Sequence, residues 1–181
     1  MGAASREHED VEICVLREDQ ALLHAHLAAR GRWRFLTPVN ERWAELATDD
    51  KRLERPSFML QVQATPETRT TAPGLPPEFE FLMNDLADGE WVFPHDADLR
   101  LPLERVRVAS ALGVPVVAPE VVLLLKAPNR RRASHPNKDE HDSQRALPYM
   151  SAAQRGWLRA QLERLRPGDP WIPQLSAELP P

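Results

Sequence analysis

Hydrophobic and polar residues alternate from Asp10 to Leu16. The alternation predicts a strand with Asp10, Glu12 and Cys14 on one face and Val11, Ile13 and Val15 on the other. From Arg17 to Arg30 the period changes to a helical one. Leu22, Leu23, Leu27 and Ala28 are expected to form its apolar stripe, and Gly31 to stop it. Trp33 to Leu36 reads as a short strand, and residues 38–56 carry no clear period. Ser57 to Val62 reads as a strand in which Phe58, Leu60 and Val62 alternate. Thr65 to Pro77, rich in Thr and Pro, reads as a loop. Residues 78–84 and 90–93 read as a hairpin around Asp85-Leu86-Ala87-Asp88-Gly89, and Arg105 to Ala109 as a further strand.

Beyond that point the pattern is helical. Pro119 suits the first turn of a helix running through Lys126, with Val121, Val122, Leu124 and Leu125 expected to bury against the sheet. Asn137 with Glu140, and Ser151 with Gln154, have the spacing of capping boxes. The second box precedes Trp157, Leu158, Leu162 and Leu165. Asp169 to Pro181 reads as a loosely packed tail with Trp171 tucked in. The expected fold is α/β (α+β): a mixed sheet flanked by helices, sheet-rich over about 6–117, helical over about 118–166, with a Pro-rich tail.

Composition narrows the class. At 181 residues the chain suits one domain with a real core, and 42% hydrophobic and 28% charged residues suit a soluble globular protein. A net charge of −4 gives no support to general nucleic-acid binding. The single cysteine, Cys14, cannot form an internal disulfide, which fits a reducing, cytoplasmic setting. No apolar run approaches membrane-spanning length, so no membrane partner is expected. The 18 prolines imply long irregular connections. His24 and His26 lie on different sides of their helix and do not make a metal pair.

The candidate chemistry starts at His8-Glu9-Asp10-Val11-Glu12-Ile13. Carboxylates side by side on a strand repel each other unless a cation sits between them, and Mg²⁺ prefers such hard oxygen ligands. The plain alternative is a solvent-facing acidic stripe. Arg6 through Arg17 resembles the metal-binding strand of the nucleotidyltransferase superfamily, in particular small bacterial proteins similar to aminoglycoside adenylyltransferases. Three more segments fit in order. Glu80 to Asn84 with Gly89 to Phe93 resembles the next carboxylate strand and its Trp-bearing partner. Ala118-Pro119-Glu120 through Ala127 resembles the family's Ala-Pro-Glu helix, and Lys138-Asp139-Glu140-His141-Asp142 the start of the helix after it.

The resemblance implies transfer of AMP from ATP to a hydroxyl of a small molecule such as an aminoglycoside, with Mg²⁺. Asp10 and Glu12 would hold the metal. Glu80 would be the third carboxylate and help deprotonate the hydroxyl, with Glu78 and Asp85 as alternatives. Lys126 would reach phosphate, or else serve as a cation at its helix C-terminus. Lys138, Asp139 and Asp142 would approach the nucleotide or join the two helices. The Arg130-Arg131-Arg132 run reads as a solvated loop, with phosphate contact as the other reading. The sequence also departs from the family. Glu12 stands where Asp is usual, Pro94-His95 where Arg-Arg is frequent, and no Gly-Gly or Gly-Ser turn precedes Arg6. The last departure implies either a start placed too far downstream or a truncated, inactive relative acting as a binding or partner module. A missing first helix would leave apolar surface that favours self-association.

Overall fold

The computed structural model describes residues 12–40, 42–46, 52–127 and 136–176. The chain divides into two compact units between Leu103 and Glu104. The first unit is built on a mixed seven-stranded sheet. Its strands are β1 (Glu12–Leu16), β2 (Trp33–Val39), β3 (Arg42–Glu45), β4 (Met59–Ala64), β5 (Glu78–Ala87), β6 (Glu90–Phe93) and β7 (Asp96–Pro102). The order is β3-β2-β4-β5-β6-β7, every pairing antiparallel, and β1 lies parallel to β5.

Alternation along the strands decides the faces. Phe35, Leu60, Val62, Phe81 and Met83 are buried together with Leu27 and Leu53, and Ile13 and Val15 of β1 pack against them. Leu60 and Val62 are completely buried. Each such side chain contributes about 1.5–3 kcal/mol by leaving water. Helix α1 (Gln20–Ala28) follows a 3-10 turn at Arg17–Asp19, later than the sequence pattern implies. Its inward residues are Gln20, Leu23 and Leu27, at spacings of three and four. Leu22 and Ala28, expected in the stripe, face outward, because two residues on a helix turn a side chain to the other side.

Gln20 is fully buried and fully used. Its Nε2 donates to the Arg17 and Leu53 carbonyls, and its Oε1 accepts from the Leu53 amide at 2.8 Å. The segment around Leu53 is thereby fixed to the start of α1.

Thr65 to Pro77 is not all loop. Pro66–Thr71 forms α2, with the Thr65 hydroxyl accepting from the Thr68 amide and Pro66 in the first turn. Buried Thr68 donates to the Arg32 carbonyl and accepts from the Arg32 amide. Gly31, at φ +148°, passes so close that a Cβ there would lie 2.5 Å from Thr68. Glycine is therefore required for contact as well as for ending α1. At the β5–β6 turn Asp88 and Gly89 have φ of 54° and 80°, the pattern of a two-residue hairpin whose twist suits the strands.

The second unit comprises α3 beyond Leu103 (Leu103–Val106), the hairpin of β8 (Arg107–Ala109) and β9 (Pro115–Val117), and α4 (Pro119–Lys126), α5 (Pro136–Ala146), α6 (Ala152–Leu165) and α7 (Trp171–Ser176). The expected strand Arg105–Ala109 is thus half helix, and its hairpin belongs with the helical unit. Helix α4 buries Val121, Leu123 and Leu124, while Val122 and Leu125 are only half-buried; it packs against α5 and α6. The capping box at Ser151 and Gln154 forms as expected. Asn137 lies inside α5, which begins at Pro136, so the first proposed box does not sit at the helix start. Within the expected tail, Trp171–Ser176 forms helix α7, where Trp171 is buried and its Nε1 donates to Glu140 Oε2 at 2.7 Å; residues 177–181 lie outside the described residues. Among the described residues no helix is long and apolar enough to cross a membrane.

Candidate functional site

The side of the sheet opposite α1 carries the acids. Strand register sets their arrangement: Glu12 of β1 is the partner of Glu80 on β5, Glu80 of Gln61 on β4, Gln61 of Leu36 on β2, and Leu36 of Glu45 on β3. These five residues form one row across five strands, all on one face. Adjacent strands lie about 4.8 Å apart, so the side chains of Glu12 and Glu80 are nearest neighbours. Glu12 is exposed and Glu80 half-buried. Toward the end of the sheet nearer the start of β5, the next row holds Glu78, Gln63 and Arg34. On the other side lie Cys14, Leu82 and Met59.

Glu12 and Glu80, expected to share a site, are therefore brought together. Asp10 lies outside the described residues, as does the Arg130-Arg131-Arg132 run. Glu78 shares the face but is exposed in the neighbouring row. Asp85 does not share it. An odd offset from Glu80 turns it to the core side of β5, where Arg17 Nε donates to it at 2.8 Å and Arg17 Nη2 at 3.3 Å. Arg55 pairs with the same carboxylate at 3.1 Å. Burial pushes the Asp85 carboxyl upward, but Arg17 and Arg55 outweigh it and hold it below the ordinary aspartate range. Asp85 is a structural anchor: Arg17 also donates to the Leu53 carbonyl, joining β1's exit to β5 and to the Leu53 segment.

Cys14 is exposed on the acid face. Desolvation pushes its thiol above the ordinary value; a hydrogen bond with Asn84 pulls the other way, and the Glu12 charge adds to the rise. A thiol shifted upward is a poor nucleophile at neutral pH. Asn84 itself is buried, donating to the Leu82 carbonyl and accepting from Trp91 Nε1 at 2.7 Å.

In the helical unit, Lys126 Nζ lies 3.3 Å from Asp139 and 3.0 Å from Asp142. Burial lowers the Lys126 pKa, but the two carboxylates more than compensate and hold it above the ordinary lysine value. This arrangement supports the helix-joining role left open by the sequence, since it ties α4 to α5. Lys138 lies half-buried in the first turns of α5. Buried Glu120 accepts from Gln154 Nε2 at 2.8 Å, linking α4 to α6.

The donor set of the acid row is hard oxygen, which suits Mg²⁺. Among the described residues no three His, Cys, Asp or Glu side chains are grouped to hold a metal. The residue that pattern reading passed over is Gln61. Its signal was its place between Leu60 and Val62, which forces it onto the acid face. No family model, curated protein or solved structure matches this chain.

Proposed function

We propose that this protein is nucleotidyltransferase-like and transfers AMP from ATP to a hydroxyl of a small molecule such as an aminoglycoside. The observation that carries the reading is the register of Glu12 with Glu80 on neighbouring parallel strands, on the polar face of a sheet whose other face is core. Glu12 and Glu80, with Asp10, are the residues that would hold Mg²⁺. When bound, that ion would neutralise charge on the triphosphate and on the leaving pyrophosphate. The acceptor's oxygen would bond to the α-phosphorus as the bond to the β-phosphate bridging oxygen breaks, and the acceptor's proton would pass to Glu80.

The test is thermal. A ligand that binds only the folded state raises the melting temperature. Saturating Mg²⁺-ATP is expected to raise it for the wild type and to leave it unchanged for Asp10→Asn, Glu12→Gln and Glu80→Gln. A wild-type melting curve that does not move would overturn the reading. One observation favours a second reading, a non-catalytic binding module. Lys126, a candidate for contacting phosphate, is engaged by two carboxylates. Pyrophosphate release with a panel of hydroxylated acceptors separates the two: binding without turnover supports the module.

A further inference from the structure

We propose that the outward face of α1 is an interface between two copies of this chain, packed antiparallel about a two-fold axis. The inference is independent of the nucleotide reading. A helix on a protein surface normally shows charged or polar residues to water. Helix α1, Gln20–Ala28, carries no Asp, Glu, Lys or Arg, although such residues make up 28% of the chain. Its inward side is Gln20, Leu23 and Leu27. Its exposed residues are Ala21, Leu22, Ala25, His26 and Ala28, of which only His26 is polar, and Ala29 just beyond is exposed as well. Leu22 is 70% exposed, in the middle of that face.

Leu22, Ala25 and Ala29 follow one another at spacings of three and four, which keeps a seam of side chains turned toward a partner helix. One large side chain with small ones beyond it is self-complementary. Leu22 of each copy can lie over Ala29 of the other, with Ala25 near the two-fold axis and the helix axes about 8 Å apart. Charge sets the direction. Glu18 and Asp19 precede the helix, and Arg30 follows it, its Nη1 donating to the His26 carbonyl at 2.8 Å. Glu18 and Arg30 are both exposed. A parallel pair would set like charges together at both ends. An antiparallel pair sets the acidic end of each helix against the basic end of the other and opposes the two helix dipoles. Nine residues make a helix only about 13 Å long, so the contact is small and dissociation is expected at about 10–100 µM.

The experiment is analytical ultracentrifugation of the full chain from about 1 µM to about 1 mM, which brackets that affinity. Circular dichroism establishes that each variant folds. Wild type is expected to pass from monomer to dimer. Leu22→Glu should weaken association at least about tenfold, because a carboxylate would be buried in the contact without a partner. Ala25→Glu should do the same, and it decides if Leu22→Glu does not fold. Leu112→Glu, at an equally exposed apolar residue between β8 and β9, should leave the dimer unchanged. Glu18→Arg and Arg30→Glu should each weaken it about threefold, and the two together should restore it. A wild type that stays monomeric throughout overturns the inference. So does a dimer that Leu22→Glu and Ala25→Glu leave intact, or one that only Leu112→Glu dissociates. A double charge reversal that fails to recover the loss overturns it too, because the acidic and basic ends would not then meet.

Discussion

The two faces of β5 treat their acids in opposite ways. Glu80 stands beside Glu12 on the face away from α1, and Asp85 turns to the core side, where two arginines close on it. Both acids were candidates for one role, and strand parity separates them. An acid clamped by arginines gains stability from its charge and has little capacity left for a ligand. Two acids side by side on one face raise each other's cost of ionisation. Proximity in sequence to a metal-binding pattern is therefore a weak guide unless the face is fixed first.

The contrast is most exposed to test at neighbouring residues of β4. Leu60 points into the core with no exposure, and Gln61 points to the acid face. Leu60→Ala should cost about 2–5 kcal/mol in urea denaturation, from lost burial plus the cavity left behind. Gln61→Met should cost less than about 1.5 kcal/mol, because volume is retained. Equal losses would show that the two faces are packed alike.

The next largest effect is expected at Asp85. Asp85→Asn removes the charge that holds Arg17 and Arg55, and should cost about 1–3 kcal/mol. Glu80→Gln should stay within about 0.5 kcal/mol while losing the response to Mg²⁺-ATP. The pH dependence follows from the direction of the Asp85 shift. Its folded pKa lies below the unfolded value of about 3.9, so its contribution is present above that value and disappears as pH falls through the folded pKa. Acid denaturation of the wild type should be steeper below about pH 4 than that of Asp85→Asn. Parallel curves for the two proteins would remove Asp85 from the anchor role.

Much of the sheet is legible as local pattern. The alternation of β1 and β4, the Pro119 helix start and the Ser151–Gln154 box rest on short-range rules and are present in the fold; the hairpin before Glu90 is present too, but Asp85–Ala87, read as part of its turn, continue β5 and leave only Asp88 and Gly89 between the strands. The pairing of Glu12 with Glu80 required more, since it depends on register between distant strands; there the family resemblance nominated Glu80 and the fold supplies the neighbour. Other features left a signal that composition hid. Thr65-Pro66 is a proper helix opening, yet the Thr- and Pro-rich stretch around it reads as loop. Leu99 and Leu101 alternate within β7, but charged neighbours on both sides obscure them. The arginines around Asp85 left no local signal, because Arg17 and Arg55 reach it only through tertiary structure.

A smaller effect than that at Asp85 is expected at the other acid pair, in the helical unit. Lys126 is to Asp139 and Asp142 what the arginines are to Asp85: a cation that makes neighbouring acids tolerable. If that is its whole role, Lys126→Met should cost about 1 kcal/mol, because the pair is partly screened by solvent. The loss should carry its own pH signature. A lysine whose folded pKa is raised contributes stability that is fully present below its unfolded value of about 10.4 and is lost as pH rises through the folded pKa. Wild type should therefore lose stability above that value, and Lys126→Met should lack this component. The Mg²⁺-ATP response supplies the other half of the test, since it should be unchanged in the variant. A variant of near-normal stability whose Mg²⁺-ATP response is gone would overturn the helix-joining role as the whole of what Lys126 does.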